Sequence, residues 1–506
     1  MQRELELKVE LSAGAIKRLA GELPEVDLSV GPASTQRLRT IYFDTPTLGL
    51  REAGISLRLR SHNGGWLQTV KADQHVTQGV SNPRELEVLL ATDHPNVDKI
   101  ADKKLKRSVA KALKGTSLGP VFETVVERTT RQIRASGSEV ELAVDAGELR
   151  TQEARAELRE AELELKAGSV EGLLLAAEKL LAGQELTLGT RSKAERGYRL
   201  VLEKTPSSPE PEKSRPVHIR GKDTSAEAFA AILASASQQI LVNRAALLET
   251  DDPHAAHQLR IGLRRLRSAL NALRGLAVSD SLTAFERAAR EVGSSVGALR
   301  DADVLISAIY APIQATASDK SGFADLHAAL TRYRRAKREE VRARLQGPVW
   351  TRLQLYLTLW PRTLEENERL VRPIKKVARK VLRKAWKKSA RYGANIDRLN
   401  GEQRHQMRKA LKKMRYQAEF FAPLFSTAKS EAFIRQLRAL QDVFGYINDV
   451  RMAARLIEIG TQPAPSSDVA RAASYTLGRH EAEAEHVWRG ALPAWRALRR
   501  TSRFWT

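Results

Sequence analysis

Residues 4–10 read ELELKVE, with Glu4, Glu6, Lys8 and Glu10 at alternate places and Leu5, Leu7 and Val9 between them. A strand with this pattern carries charge on one face and aliphatic side chains on the other. Similar period-two runs recur at 37–44, 55–61, 66–71, 84–90, 121–134, 138–145 and 158–166. Gly64-Gly65 falls between two of them and suits a hairpin turn. Helical spacing is confined to 12–22, 98–114 and 169–182 in this half. Eight or so short strands with few helices predict a closed antiparallel barrel or an α+β sheet.

The period then changes. KTPSSPEPEKSRPV (204–217) has four prolines and three serines, which neither a helix nor a central strand tolerates, and it reads as a linker. Beyond it, 225–249, 254–275, 281–297, 300–315, 323–345, 348–359, 370–392, 402–421 and 430–457 all carry helical spacing. In one of these, Ile374, Val377, Ala378, Val381, Leu382 and Ala385 form an apolar stripe, with Lys375, Lys376, Arg379, Lys380, Arg383 and Lys384 on the other face. The expected architecture is a strand-rich domain over 1–203, a linker over 204–221 and an all-α domain over 222–500.

Charge follows the same division. The chain has 506 residues and a formal net charge of +24, yet residues 1–204 hold 31 basic and 30 acidic side chains. Essentially all the excess lies in the helical half, which should therefore seek a polyanion: nucleic acid, an acidic membrane surface or polyphosphate. The chain has no cysteine, so disulfides and thiolate metal sites are excluded, in keeping with a reducing cytosol. The acidic, alternating start does not read as a signal peptide. With no run of about 18 apolar residues, no membrane-spanning helix is expected.

One charged strand face is the ordinary wet side of a surface sheet. Several together are harder to explain so. Glu85 and Glu87 share a face, as do Arg58 and Arg60, and as do Glu160, Glu162, Glu164 and Lys166. In a barrel the apolar faces can pack outward against helices while the charged faces line a lumen. Buried like charges must then be compensated by opposite charges, metal ions or a bound anion. Carboxylates suit Mg2+ or Mn2+, and Arg and Lys suit phosphate oxygens.

These residues resemble the CYTH domain, or triphosphate tunnel metalloenzyme, family. Glu4-x-Glu6-x-Lys8 looks like its ExExK signature. LRTIYFDTPTLGLREAGISLRLR (38–60), TVK ending at Lys71, RELE (84–87), VDAGEL (144–149), EAELELKAG (160–168) and SKAERGY (192–198) follow in the family's order. The resemblance implies an eight-stranded antiparallel β tunnel with flanking helices that hydrolyses a triphosphate with divalent metal. It assigns Glu4, Glu6, Asp145, Glu162 and Glu164 to metal. It assigns Lys8, Arg39, Arg58, Arg60, Lys71, Arg128 and Lys193 to the phosphate chain, and Glu85 and Glu87, with Lys8, to catalysis. Arg131 competes with Arg128, and Glu160 with Glu164, because the alternation leaves the strand phase open. Glu10 has no assigned partner and is placed at the barrel mouth. The lysine-rich 103–114 reads as a solvated helix face. No Ser–His or Cys–His pairing in this half points to a covalent phosphoenzyme, so direct attack by water is favoured.

The helical half contains a duplication. HQLRIGLRRLR (257–267) and HQMRKALKKMR (405–415) align His257, Arg260, Arg264 and Arg267 with His405, Arg408, Lys412 and Arg415. Those offsets fall within an arc of about 80° on a helix. Gly297 and Gly445, then Asp301 and Asp449, follow their histidines at matching distances. Each repeat thus projects a histidine and three cations as one strip, which suits an anion better than a metal. Asp301 and Asp449 should orient basic residues. This half resembles the CHAD domain, the conserved-histidine α-helical domain of two four-helix-bundle repeats, which is associated with inorganic polyphosphate.

The combined reading is a multidomain α+β inorganic triphosphatase, requiring Mg2+ or Mn2+ and cleaving tripolyphosphate to pyrophosphate and phosphate. A helical module binding long-chain polyphosphate accompanies it. The alternatives are nucleotide or thiamine triphosphatase or adenylate cyclase activity on the same tunnel, and a non-catalytic polyphosphate-binding or targeting protein. Nucleic acid is not expected as a specific partner, for want of a zinc-finger pattern or an aromatic stacking motif. A cytoplasmic location, at polyphosphate granules where these exist, is expected, with no membrane partner.

Overall fold

The computed structural model describes residues 5–21, 23, 28–62, 64–72, 80–81, 84–181, 183–184, 186–188, 192–202, 209–460, 462 and 466–506. The chain forms two compact units, Met1–Ser207 with Gln346–Thr363, and Ser208–Leu345 with Leu364–Thr506.

Among the described residues the first unit has eleven strands: β1 (Leu5–Leu11), β2 (Ser29–Val30), β3 (Ser34–Asp44), β4 (Ile55–His62), β5 (Gly65–Ala72), β6 (Val80–Ser81), β7 (Arg84–Leu90), β8 (Gly119–Ala135), β9 (Ser138–Arg150), β10 (Arg155–Ala167) and β11 (Leu186–Leu188). Eight are long and coincide with the eight alternating runs; β2, β6 and β11 are two or three residues each. Its helices are α1 (Ala13–Ala20), α2 (Gly49–Glu52), α3 (Lys103–Leu113), α4 (Val170–Leu181) and α5 (Lys193–Val201). The ladder runs β11-β1-β10-β9-β8-β3-β4-β5-β7, antiparallel throughout. The expected antiparallel β tunnel is thus present, as a tunnel-like sheet whose ladder β7 does not close. Among the described residues β7 does not pair with β1; the short β6, just before it, meets β1 at Glu6↔Ser81 and Leu7↔Val80.

Why this sheet curls follows from its two faces. The apolar members of the alternation point outward beneath helices: Phe43, Leu57, Leu59 and Val70 pack with Leu50 of α2, with Val109 of α3 and with Ile100 just before it. Gly64 makes the β4–β5 turn at φ +80°, a conformation that costs other residues a steric penalty. The charged members are left to the concave side.

The second unit is all-helical. Among its described residues are α6 (Ser225–Glu249), α7 (Pro253–Leu273), α8 (Asp280–Val304), α9 (Ala311–Thr316) and α10 (Phe323–Gln346). After α11 (Pro348–Leu359) follow α12 (Ile374–Gly393), α13 (Gly401–Phe421), α14 (Thr427–Gly460), α15 (Ser467–Arg489) and α16 (Ala491–Arg500). The spacing missed α15 and α16. It also split one helix at 297–300; the actual break is a π-helical turn, Leu305–Tyr310, between α8 and α9. The duplicated strips lie on α7 and α13, which pack against each other.

Helix α11 belongs to the first unit although its neighbours in sequence belong to the second. It packs on α4 and β11. Thr351 Oγ1 donates to Gln184 O at 2.9 Å, and Tyr356 OH donates to Glu178 Oε2 at 2.8 Å. Trp350, Leu353, Leu355 and Leu359 are wholly buried, while Arg352 of the same helix reaches solvent. Trp350→Ala should therefore destabilise the strand-rich unit by about 3–5 kcal/mol. Urea unfolding, with hydrogen exchange rising first in α4 and β11, would show it; unchanged exchange there would place the cost elsewhere.

Candidate functional sites

Register converts the alternating charges into one concave surface. Lys8 lies opposite Glu162, Glu6 opposite Glu164, Arg128 opposite Asp145 and Lys71 opposite Glu85. A cavity of about 510 Å³ results, lined by Glu6, Lys8, Arg58, Arg60, Lys71, Glu85, Glu87, Arg128, Glu162, Glu164 and Lys193 among others. Eleven of the proposed residues are thus brought together.

Two sub-arrangements differ in charge state. On β1, β9 and β10 the cations are saturated. Lys8 Nζ donates to Glu162 Oε1 at 2.5 Å. Lys193 Nζ donates to Glu162 Oε1 at 2.8 Å, lies 2.8 Å from Asp145 Oδ2 and also bonds Glu160. Arg128 grips Asp145 through Nε at 2.7 Å and Nη2 at 2.6 Å, and reaches Glu162 Oε2 at 2.9 Å. Burial works against charge on Lys8, but Glu160, Glu162 and Glu6 outweigh it and raise its pKa well above normal. Burial likewise opposes ionisation of Glu162, yet Lys193, Lys8 and Arg128 hold its carboxyl well below the usual range.

On β4 the balance reverses. Arg58 and Arg60 are adjacent lumen residues, and the buried Nε of each has no hydrogen-bond partner. Arg58 has Glu85 at 3.5 Å, but Glu85 is closer to Lys71 Nζ, at 2.5 Å. The field of Arg58, then burial and Arg128, push the pKa of Arg60 down to about 10. Burial works against charge on Arg58, but Tyr42, which also hydrogen-bonds it, and Glu85 outweigh it and raise its pKa; Arg60 beside it is left without such compensation, an arrangement an anion relieves. Glu87 accepts from Thr69 Oγ1 at 2.9 Å.

Several expectations change. Arg39 is not in the lumen: Thr40 and Tyr42 of β3 pair with Arg60 and Arg58, so Arg39 points the other way and binds Glu123 at 2.7 Å. Between Arg128 and Arg131 the register selects Arg128, while Arg131 reaches the carbonyls of Ala20 and Gly21. Asp145 is 1% exposed, does not line the cavity, and holds Arg128 and Lys193. Glu160 shares that inner position, and Glu164 faces the cavity beside Lys166 at 2.7 Å. Glu4 lies outside the described residues. Glu10 meets Arg196 at 3.8 Å. Lys193 enters from the first turn of α5, whose N-cap Ser192 accepts from Glu195 N. The Ser192-x-x-Glu195 pattern is a helix-start signal that could have placed it. Gly197 lets α5 lie on Phe122, where a Cβ would come within 2.2 Å of the ring, and Tyr198 OH donates to Asp44 Oδ2 at 2.8 Å. Tyr42, Ser56 and Glu141 also line the cavity, unread from the pattern.

The donor set fits a divalent ion at one place. Asp145, Glu160 and Glu162 lie close enough to share a metal, but Lys8, Lys193 and Arg128 already neutralise them. Glu6 differs. Its Oε1 is buried and accepts no hydrogen bond, with Lys8 Nζ 3.5 Å away. Burial and the neighbouring charge of Glu162 raise its pKa. A hard cation at Glu6, across the strand pair from Glu164, would satisfy that oxygen.

The second unit holds a separate basic cavity of about 790 Å³. Arg260, Arg264 and Arg267 reach it from α7, and His405, Arg408 and Lys412 from α13. Asp252 caps α7 ahead of Pro253, and an Asn400–Gln403 capping box starts α13, so both strips begin on well-defined helix ends. Asp301 accepts from Arg260 Nη1 at 2.6 Å, the orienting role expected of it. Arg290, Lys388 and Arg451 join from α8, α12 and α14, which helix-face reasoning alone could not foresee. His257 and Arg415 do not line this cavity: Arg415 lies over the Tyr416 ring at 4.9 Å and near Glu419 at 3.9 Å. Burial, then Arg300, lowers the pKa of His257 to about 4. Burial, then Arg264 and Arg408, lowers that of Lys412 to about 6.

Comparison with known proteins covers both units. The CYTH domain profile matches residues 2–198, and the CHAD domain profile residues 231–458. An inorganic triphosphatase of Haemophilus influenzae is 27% identical over 203 residues, 40% of this chain; the match spans about half that relative's length, 55%. The crystal structure of the CHAD domain from the plant Ricinus communis is 30% identical, covers 58% of this chain and 98% of that one, and superposes with a TM-score of 0.52. No helix among the described residues is long and apolar enough to cross a membrane.

Proposed function

The chain belongs to the CHAD domain family and carries a CYTH domain, and on that premise we propose that it is an inorganic triphosphatase. Its tunnel would cleave tripolyphosphate to pyrophosphate and phosphate with Mg2+ or Mn2+, and its helical unit would bind inorganic polyphosphate. The observation that carries this reading is the Arg58–Arg60 pair, buried on the lumen with the Nε of each unpartnered and the charge of Arg60 uncompensated. The name of the Haemophilus influenzae relative supports the same activity.

Arg58, Arg60 and Lys71 bind the phosphate oxygens. Lys8, Arg128 and Lys193, fixed by their carboxylates, supply positive charge that need not reorganise during reaction. Water attacks the terminal phosphorus, the phosphoanhydride P–O bond breaks, and pyrophosphate leaves on the arginine side. Glu85 and Glu87 orient that water and accept its proton. A divalent ion at Glu6, with Glu164 opposite it, would supply Lewis acidity toward the phosphate oxygens.

Purified protein with tripolyphosphate and Mg2+ should release phosphate, and excess chelator should stop the release. Turnover of ATP and thiamine triphosphate in the same assay ranks the substrates. Absence of release with Mg2+ and Mn2+ alike would reject the enzyme and leave only the binding role.

A further inference from the structure

The basic cavity of the helical unit does not end at its cations. A second cavity, of about 430 Å³, adjoins it between α7, α12 and α13. Asn271, Lys388, Ala410 and Lys413 line both, so the two are continuous. Their walls differ. The second is built largely of aliphatic carbon from Leu276, Val377, Val381 and Ala385, with lysines at its rim. Its volume lies within the range of small-molecule sites, about 300–1,000 Å³.

Two amides face this apolar space. Gln417 is 2% exposed, and its Oε1 has no hydrogen-bond partner, an expensive state for a buried acceptor. Asn271, exposed at the rim, has its Oδ1 taken by Lys413 Nζ, and its amide nitrogen carries the remaining donors of that side chain. An acceptor and a donor over aliphatic walls match the amino group and ring nitrogen on the edge of a purine such as adenine. An acyl chain would leave both amides unsatisfied, and a bare phosphate chain would gain nothing from the aliphatic wall.

We propose that the helical unit binds a nucleoside polyphosphate, with its phosphates among Arg260, Arg264 and Arg408 and its base in the side cavity against Gln417. The inference rests on the basic cavity taking a phosphate chain. The side cavity adds the class of ligand: an organic polyphosphate, distinguished from the inorganic one by its base.

The test uses the full chain in an Arg58→Ala/Arg60→Ala background, which weakens competition from the tunnel. Isothermal titration with ATP and with tripolyphosphate, both without metal, compares ligands of equal phosphate number. ATP should bind about tenfold more tightly. Gln417→Leu should abolish that preference and leave tripolyphosphate affinity unchanged, whereas Arg264→Ala should weaken both. Photolabelling with 8-azido-ATP, which needs no core substitution, should mark peptides from α12 and α13. Equal affinities, or label absent from these helices, overturns the base site while leaving the phosphate reading intact. Absence of binding by either ligand, or binding that Arg264→Ala leaves unchanged, overturns the phosphate reading itself.

Discussion

Arg60→Met should lower kcat/KM for tripolyphosphate by about 10²–10³ while leaving the free protein at least as stable as before. The two effects have one cause. Arg60 lies beside Arg58, its buried Nε lacks a partner, and the field of Arg58 followed by burial pushes its pKa down to about 10. Without an anion the pair repels, and the fold bears that cost. With a phosphate chain between them, both charges are compensated, and more so as charge builds on the leaving pyrophosphate. Steady-state kinetics and thermal unfolding, measured on one preparation, check both signs. Glu162→Gln is the contrasting case. Glu162 accepts from Lys8, Lys193 and Arg128, so its loss should cost stability as well as activity. Because its folded pKa lies below the unfolded value, its contribution is full above the ordinary glutamate range and is lost as pH falls through the depressed pKa. Unchanged acid unfolding in Glu162→Gln would contradict that assignment. A loss of stability in Arg60→Met would show that Arg60 is structurally compensated after all.

The contrast also separates what the pattern could reveal from what it could not. Alternation alone places Glu6 with Lys8, Arg58 with Arg60, and Glu160 with Glu162, because a strand has only two faces and one must be apolar. It fails at β3, where Leu38, Thr40 and Tyr42 form the inward face and Ile41 and Phe43 the outward one. There Arg37 and Arg39 share the outward face with Ile41 and Phe43 while the inward face at Leu38, Thr40 and Tyr42 is uncharged, so a charged-face-inward rule turns Arg39 the wrong way. It is also silent about Lys193, whose position depends on α5 closing over the sheet and on Gly197 admitting Phe122. The helical strips were legible for the same reason as the strands, through a period and its duplication. Arg290, Lys388 and Arg451 were not, since three further helices must pack before they share a cavity. Helix α11 is the extreme case: its periodicity is plain, but nothing local says which unit it completes.

Polyphosphate affinity for the helical unit should fall about tenfold for each pH unit between roughly 6 and 10, so that binding at pH 8.5 is about 100-fold weaker than at pH 6.5. The group responsible is Lys412. Burial first, then Arg264, Arg408 and Arg260, lowers its pKa to about 6, against a partial counter-effect of Asp449. Arg264, itself lowered to about 10, stays charged across most of this range. In the free protein at neutral pH Lys412 is therefore largely neutral. A phosphate chain entering the cavity brings the negative charge that restores an ordinary lysine pKa, so each binding event takes up about one proton from solution. Internal phosphates of a long chain remain ionised throughout, which leaves the protein as the source of the pH dependence. The free protein should respond in the opposite direction. Lys412 binds a proton more readily when unfolded, so stability without ligand rises with pH over the same interval. Titration calorimetry in buffers of differing ionisation enthalpy counts the proton directly. Lys412→Met should bind with little pH dependence and no proton uptake above pH 6.5. If the variant kept the wild-type slope, the proton would have to come from another group, and Lys413, whose pKa burial, Lys388 and Lys384 also lower, would be the next to replace.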